Sequence, residues 1–290
     1  MKLKDFLPPI VANTAQRLVR NSSSSVPEHR QQVFESYESA AAQCVGFGYE
    51  ASDLVDIVCR KTKNYRDQLR TKRPAQLSGG DTLALIGIGL AHRCSQQTIN
   101  VIDFGGACGA HYFLLKSILM DRVSLNWHVV ETPAMARRAA ELETDELRFF
   151  SSIDDAASAL DRVDLAFSSG TLQCIPNPTE ALKMLLQPRP EIVVLARLGL
   201  TQGSAEVVTI HEARLSHNGP GPLPPGCIDS ITRYPFTFPA QSEIELTVSE
   251  KYQLLLTAPD PSGVFPVNNE PLVGIGYIGR IRDHAGENKS

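Results

Sequence analysis

The spacing of apolar positions predicts helices through the first third of the chain. In HRQQVFESYESAAAQCVGFGYE, Val33, Tyr37 and Cys44 recur at intervals that place them on one helix face. Two more helical segments follow, ASDLVDIVCRKTKNYRDQL and GGDTLALIGIGLAHRCS, and the second is apolar enough to be buried. We therefore expect an N-terminal helical region over residues 1–97, acting as a lid over a site or as a contact in a homodimer.

After residue 97 the pattern changes to short apolar runs that alternate with helical segments. Five such runs are TINVIDFGG, NWHVVETP, ELRFFSS, VDLAFSSGT and PEIVVLARLGL. This alternation predicts a parallel sheet with helices on both faces. Later runs predict further strands, EVVTIHEARL, YQLLLTAPD and PLVGIGYIGRIRD, and the last two predict an antiparallel hairpin that closes the sheet. The segments GPGPLPPG and RYPFTFP are typical of irregular structure.

A glycine-rich turn, in VIDFGGACGAHYFLL, joins the first apolar run to the next helix. Such a turn lets a ligand approach the backbone, in front of the N–H groups at a helix N-terminus. Taken as G-x-A-x-x-A from Gly105, it is a degraded dinucleotide fingerprint. Taken as D-x-G-x-A-x-G from Asp103 to Gly109, it resembles the first motif of class I methyltransferases that use S-adenosylmethionine (SAM). Neither match is specific by itself.

Asp103 and the closing hairpin favour the second interpretation, whereas Glu131 indicates a nucleoside ligand without choosing between the two. Asp103 stands where a carboxylate would meet the ammonium group of SAM but would repel a diphosphate. Glu131, at the end of the second run, can accept hydrogen bonds from ribose hydroxyls, which serves NAD and SAM alike. We expect an α/β, Rossmann-like class I methyltransferase fold, a mostly parallel seven-stranded sheet with an antiparallel last strand, over residues 98–290.

Composition and charge exclude several classes. The 290-residue chain has a net charge of −4 and no broad basic field for nucleic acid. No run is long enough to span a membrane, and no Cys or His spacing predicts a metal site. Residues 1–20 are amphipathic, which suits packing on the domain or a partner subunit, or weak contact with a membrane surface. Six separated cysteines favour free thiols in a reducing cytoplasm.

The chain also resembles a bacterial family of class I SAM-dependent methyltransferases, largely uncharacterised and often associated with cell-surface polysaccharide gene clusters. The resemblance extends over roughly residues 1–282. It is carried by LKDFLPPI, FESYESAAAQCVGFGYE, VIDFGGACGAHYF, WHVVETPAM, LAFSSGTLQCIPNP, IVVLARLGL, RYPFTFP and GYIGRI. It implies a role for SAM as cofactor and a link to polysaccharide biosynthesis.

The resemblance also implies where the cofactor lies. Three glycines of the turn would line the methionine and ribose portions of SAM, and Glu131 would hold the ribose. Thr132 would flank the adenine, and the end of the fourth strand would lie near the sulfonium and the acceptor. The implied cofactor positions, with the acid derived above, are Asp103, Gly105, Gly106, Gly109, Glu131, Thr132, Ser168 and Ser169.

Three polar side chains are candidates for the chemistry of a hydroxyl acceptor, which benefits from a general base with a pKa near 7. His111 follows the glycine turn directly, although it would also serve to cover the helix start. His211 follows the fifth strand, where the alternative is a strand histidine that only fills surface. Gln173, after the fourth strand, could hydrogen-bond a sugar hydroxyl.

Two more residues are candidates for holding the acceptor. Arg197, at the end of the fifth strand, could bind a carboxylate or phosphate of the acceptor, or pair with a nearby acid. Tyr234 could form a wall of the pocket, or belong to a packed turn. The sequence thus predicts a SAM-dependent methyltransferase that O-methylates a sugar or other small hydroxylated acceptor. A non-catalytic SAM-binding module and an NAD-linked oxidoreductase remain as alternatives.

Overall fold

A computed structural model describes residues 32–44, 52–71, 76–92 and 98–282. The predicted amphipathic piece at residues 1–20 lies outside these residues. The division of the chain at residue 97 stays a prediction.

Seven strands form one sheet, and their apolar side chains point to both faces of it. The strands are β1 Ile99–Phe104, β2 Leu125–Val130, β3 Leu147–Phe150, β4 Leu165–Ser169, β5 Ile192–Thr201, β8 Tyr252–Pro259 and β9 Leu272–Ile281. Their order is β3-β2-β1-β4-β5-β9-β8, with β9 antiparallel to both neighbours and β1 to β5 parallel. The predicted Rossmann-like class I methyltransferase fold, including the closing hairpin, is confirmed.

Helices cover both faces of the sheet because successive strand residues point to opposite sides. The described helices are α1 Tyr37–Ala41, α2 Ser52–Leu69, α3 Gly79–Ala91, α4 Ala110–Leu119, α5 Pro133–Ala139, α6 Ile153–Ser158, α7 Pro178–Leu186 and α8 Gln241–Ser249. Val101 packs with α2 to α5 and Ile102 with α6 to α8. Since α2 and α3 contribute to the same core cluster as the sheet, they form one wall of the crevice described below.

Helix α3 rests on the sheet through a glycine, which gives a paired test of the packing. A Cβ built on Gly87 would lie 2.5 Å from Val194 Cγ2, whereas one on Gly89 would meet nothing within 4 Å. We expect Gly87→Ala to lower the free energy of unfolding by about 1–3 kcal/mol through overpacking. Gly89→Ala should raise it by about 0.5–1 kcal/mol through helix propensity. Urea denaturation measures both, and shifts of the same sign would contradict this seating of α3.

Two strands lie outside the main sheet, and one of them corrects a prediction. Strand β6, Val207–Arg214, pairs antiparallel with β7, Ile231–Phe238, in a two-stranded ribbon. Strand β7 contains all of RYPFTFP except its last residue, Pro239, so the prediction of irregular structure there is wrong. Pro235 is tolerated because both strands of a two-stranded ribbon are edge strands, where a missing N–H can face away from the partner.

The first described segment is less helical than its spacing predicts. Only α1 is helical between residues 32 and 44, because Ser36 caps the helix in a reciprocal bond with Ser39. Ahead of the cap, the backbone N–H of Phe34 donates to the Val208 carbonyl at 2.8 Å and extends the ribbon by one bridge. Within residues 32–44, the helix that the spacing of Val33, Tyr37 and Cys44 predicts is therefore wrong outside Tyr37–Ala41.

The expectation of free thiols is also wrong for two cysteines. Cys59 on α2 and Cys108 in the glycine turn form a disulfide. Among the described cysteines, Cys44 and Cys227 have free thiols. Disulfides are rare in reducing compartments, so the cysteines no longer support the expectation of a reducing cytoplasm. Within the described ranges, no helix is both long and apolar enough to cross a membrane.

Candidate active site

A cavity of about 470 Å³ opens at the carboxyl ends of the parallel strands. It lies between the parallel strands β1 and β4, where the order in which successive strands are added to the sheet reverses, and open α/β sheets bind ligands at this point. Gly105 after β1, Glu131 after β2, Ser169 at the end of β4 and Arg197 in β5 all line it. Helices α2 and α3 and the loop at residues 217–220 form the opposite walls.

The glycine turn uses most of its own N–H groups internally. Gly105 donates to the Val130 carbonyl at 2.8 Å, Ala107 to Glu131 Oε1 at 3.0 Å and Gly109 to the Gly106 carbonyl at 2.9 Å. A pyrophosphate-binding turn needs such N–H groups free for phosphate oxygens. Since one of them is occupied by a carboxylate, the turn is poorly suited to a diphosphate.

Glu131 lies at the edge of the cavity with acceptor capacity left over. Its Oε1 accepts from Ala107 and its Oε2 accepts from the Thr132 N–H at 2.9 Å. Burial raises the pKa of Glu131, although the two backbone N–H groups act in the other direction. Each carboxylate oxygen can accept a second hydrogen bond, so the side chain can take ribose hydroxyls while keeping its own contacts.

Asp103 is not on the cavity wall. Its side chain is 1% exposed and lies beneath the turn, where a Cβ on Gly106 would overlap the carboxylate. Oδ2 accepts from the indole N–H of Trp127 at 3.0 Å, and Oδ1 has no hydrogen-bond partner among the described residues. The structure therefore does not bring Asp103 to the place where it was expected to meet an ammonium group.

The burial of Asp103 gives a stability prediction with a defined pH dependence. Burial raises its pKa from 3.8 to about 6, against the opposing charge of His111 and the bond from Trp127. The contribution of this carboxyl group to stability is present below about pH 4 and is lost as the pH rises through about 6, a change of about 3 kcal/mol. Asp103→Asn does not titrate, so its stability relative to wild type should increase between pH 4 and pH 7. Urea denaturation at both pH values measures this, and a difference independent of pH would contradict it.

His111 and Asp81 form a hydrogen-bonded pair on the cavity wall. His111 Nδ1 lies 2.7 Å from Asp81 Oδ1, and both residues line the cavity. Asp81 is fixed in turn by Ser78, whose N–H and Oγ–H donate to Oδ2 at 2.8 and 2.6 Å. The His111 ring also packs edge-on against Phe167, with ring centroids 5.0 Å apart.

The pair is arranged so that Nε2 of His111 is the acceptor. Burial would raise the pKa of Asp81, but the bonds from His111 and Ser78 lower it overall, so Asp81 is ionised and only accepts. Nδ1 therefore carries the proton of the neutral ring. Burial would lower the pKa of His111, but the hydrogen bond to Asp81 and the charges of Asp103 and Asp81 raise it overall.

The structure brings part of the predicted site together. The predicted residues that line the cavity are Gly105, Gly106, His111, Glu131, Thr132, Ser169 and Arg197. Three others support it from behind. Gly109 is the N-cap of α4 with φ +78°, Ser168 Oγ donates to the Phe104 carbonyl at 3.1 Å, and Gln173 Nε2 donates to the Arg197 carbonyl at 2.7 Å. None of these three lines the cavity, so Gln173 does not stand where it could bind a sugar hydroxyl.

His211 and Tyr234 lie away from the cavity, in the β6–β7 ribbon. His211 is stacked on Phe265 with ring centroids 4.6 Å apart, and Tyr234 and Phe236 lie 5.2 and 5.6 Å from it. Burial lowers the pKa of His211. These contacts make the histidine part of an aromatic cluster, and the structure does not bring it or Tyr234 to the predicted acceptor site.

Several residues of the site were missed from the sequence. For Asp81 and Ser78 the sequence indicates only a helix cap, since S-x-x-D before an apolar run is a capping pattern, and it does not indicate a place in the site. Lys61 is 1% exposed and donates to the Ser216 and Asn218 carbonyls at 2.8 and 2.5 Å, which holds the 217–220 loop against α2. No pattern in the sequence indicated that contact. In the part of the chain that the structure describes, no cluster of His, Cys, Asp and Glu could hold a metal ion.

No protein-family model and no curated protein matches the sequence, whereas several solved structures are distantly similar. The CcbJ methyltransferase from Streptomyces caelestis matches at 14% identity and a TM-score of 0.40, over 79% of this chain and 99% of that chain. The magnesium protoporphyrin IX methyltransferase ChlM from Synechocystis PCC 6803, solved with bound SAM, matches at 11% and 0.39, over 77% and 97%. LepI in complex with SAM matches at 12% and 0.43, over 76% of this chain and 52%, about half, of LepI. Because these likenesses are distant, the function rests on the geometry of the site itself.

Proposed function

We propose that the protein is a SAM-dependent methyltransferase that acts on a hydroxyl group of a sugar or other small acceptor. The observation that carries this proposal is one cavity whose lining carries two kinds of group. The glycine turn and a ribose-type carboxylate, Glu131, line it, and so does the hydrogen-bonded His111–Asp81 pair. A nucleoside cofactor and a proton acceptor are what O-methylation needs side by side.

The turn favours SAM over a dinucleotide. Gly105 and Gly106 leave no room for side chains, which suits a ligand lying directly on the backbone. The Ala107 N–H is used by Glu131, and Asp103 lies below, so the local charge is negative. A negative environment suits a sulfonium and an ammonium group and opposes a pyrophosphate. Glu131 and Thr132 would hold the nucleoside, with Met135 as an apolar contact in the same wall.

When bound, SAM supplies a methyl group that is already activated on a positively charged sulfur. The chain then has to orient the acceptor and to take its proton. Neutral His111 accepts the hydroxyl proton at Nε2, because its Nδ1–H is held by Asp81. Asp81 fixes the tautomer and the ring orientation and stabilises the imidazolium that results. Ser78 keeps the Asp81 carboxylate in place from the start of α3.

Calorimetry with S-adenosylhomocysteine (SAH) and with NAD tests the cofactor. Wild type should bind SAH and leave NAD unbound. Glu131→Gln should weaken SAH about tenfold or more, since a charged hydrogen bond to ribose contributes about 1.5–3 kcal/mol. Glu270→Gln, an exposed change in a surface loop, is the matched control and should leave the affinity unchanged.

Label transfer from methyl-labelled SAM into a panel of sugars and other hydroxylated compounds tests the reaction. Transfer of the labelled methyl group to any compound of the panel would support the proposed methyltransferase activity. SAH binding without turnover across the panel would favour a non-catalytic SAM-binding module, and NAD binding without SAH binding would favour an oxidoreductase. Either result would overturn the proposed function.

A further inference from the structure

Arg197 has an unusual backbone conformation, at an irregularity in strand β5. The pairing register of β5 with β9 shifts between Leu195 and Leu198, so Arg197 lies on a bulge. Its φ is +54°, in the left-handed region that residues other than glycine rarely adopt. A bulge of this kind re-aims a side chain, and strain of this kind concentrates at functional sites.

Both backbone polar groups of Arg197 are fixed by side chains from other elements. Its N–H donates to Asp260 Oδ2 at 3.2 Å, and its carbonyl accepts from Gln173 Nε2 at 2.7 Å. Asp260 is 7% exposed and is held in turn by the N–H and hydroxyl of Ser262. Buried polar groups thus lock the strained conformation from two sides, which a merely solvated arginine would not need.

The side chain runs between two glycines to an open end. A Cβ on Gly170 would lie 3.4 Å from Arg197 Cζ, and one on Gly80 would lie 3.8 Å from Cδ. The residue is exposed to the cavity mouth, and no carboxylate of the described residues forms an ion pair with it. Beside it, Ser169 lines the cavity, and its buried Oγ has no hydrogen-bond partner in the described structure. A guanidinium and a hydroxyl, both unpaired and adjacent, match an oxyanion.

We propose that Arg197 and Ser169 bind a carboxylate or phosphate group of the acceptor, so that the methylated hydroxyl belongs to an anionic small molecule such as a sugar acid or a sugar phosphate. This inference rests on the proposed function. The strand order favours the acceptor, and not the amino-acid carboxylate of SAM, as the source of the anion that Arg197 binds. Glu131 directly follows β2 and Arg197 lies in β5, three strands away, which is about 14 Å at the usual strand spacing.

Binding of three probes to the SAH-saturated protein tests the inference: inorganic phosphate, D-glucuronate and D-glucose. Glucuronate and glucose differ in one carboxylate. We expect at least one of the two anions to bind, and glucose to bind about tenfold more weakly or not at all. Arg197→Gln should weaken binding of the anion about tenfold or more. Arg197→Lys should lose less affinity, because lysine keeps the positive charge but lacks the paired N–H groups with which a guanidinium binds two oxygens. Which anion binds identifies the group.

Two further variants make the outcomes decisive. Arg197→Asn removes the guanidinium with a residue that tolerates φ above zero, so it covers the case in which glutamine strains the fold. Arg280→Gln, at the other end of the sheet opposite Ile192, is the matched control and should bind the anion as wild type does. Failure of both anions to bind wild type, or equal binding by the Arg197 variants, overturns the inference. Loss of SAH affinity in the Arg197 variants would instead assign the arginine to the cofactor carboxylate and leave the proposed function standing.

Discussion

Replacing His111 by glutamine is expected to lower the rate of methyl transfer about 10²- to 10⁴-fold, the usual contribution of a general base. Glutamine keeps a polar side chain but has no nitrogen that can take the hydroxyl proton. The Nε2 atom is available for this because Nδ1 is committed to Asp81 at 2.7 Å. Affinity for SAH should not change, since in the proposed function His111 acts on the acceptor and does not hold the cofactor. Initial rates with labelled SAM and calorimetry with SAH separate the two effects.

The pH profile gives a readout that a purely structural role would not move. The base is active when neutral, so the rate should rise with pH through the pKa of His111, which lies above the ordinary value of about 6.5. Asp81→Asn removes a hydrogen bond and a charge that raise this pKa, so the midpoint should move to lower pH. The asparagine oxygen can still accept from the Ser78 N–H, which limits the loss of the α3 cap.

His211→Gln is the matched control for this prediction, and it also tests the alternative base. His211 lies in the aromatic cluster of the ribbon, so we expect the rate and its pH profile to be kept at temperatures where the variant is folded. If His211→Gln abolished transfer and His111→Gln did not, the catalytic assignment would be wrong.

The parallel half of the fold could be predicted because its strands are buried on both faces. Strands β1, β2, β4 and β5 are therefore largely buried runs rich in apolar residues, whereas β3, at the edge of the sheet, is only partly buried. The β6–β7 ribbon could not be predicted in the same way. Pro235 argues against a strand unless the strand is known to be an edge, and edge position is a property of the tertiary structure.

The site was predictable where the ligand contact depends on the backbone or on a strand end. Gly105, Gly106 and Glu131 follow from strand-end positions that the topology brings to one edge. Asp103 shares that position but lies beneath the turn, because the Trp127 indole holds its carboxylate there. Asp81 could not be predicted, since it is 30 residues before His111 and only the packing of α3 on the sheet joins them.

Gly105→Ala is expected to destabilise the fold and to abolish SAH binding. The φ of Gly105 is +77°, which disfavours any side chain. A Cβ on this residue would also overlap the neighbouring Thr171 side chain. The left-handed backbone and the overpacking together should lower the free energy of unfolding by about 2–5 kcal/mol. The turn must move away from Thr171 to relieve the overlap, and this movement changes the surface on which SAM would lie. Urea denaturation and SAH calorimetry measure the two effects.

The structure offers a control that separates backbone strain from the overlap. Gly226 has a similar φ of +82°, but a Cβ there would meet nothing within 4 Å. Gly226→Ala should therefore lose only the backbone contribution, about 1–2 kcal/mol, and keep SAH affinity. Thr171→Ala removes two of the three atoms nearest the new Cβ, so the double variant Gly105→Ala with Thr171→Ala should recover part of the lost stability. If Gly105→Ala were no worse than Gly226→Ala, the close approach of the turn to Thr171 would be refuted, and with it the narrow cradle that the proposed cofactor site requires.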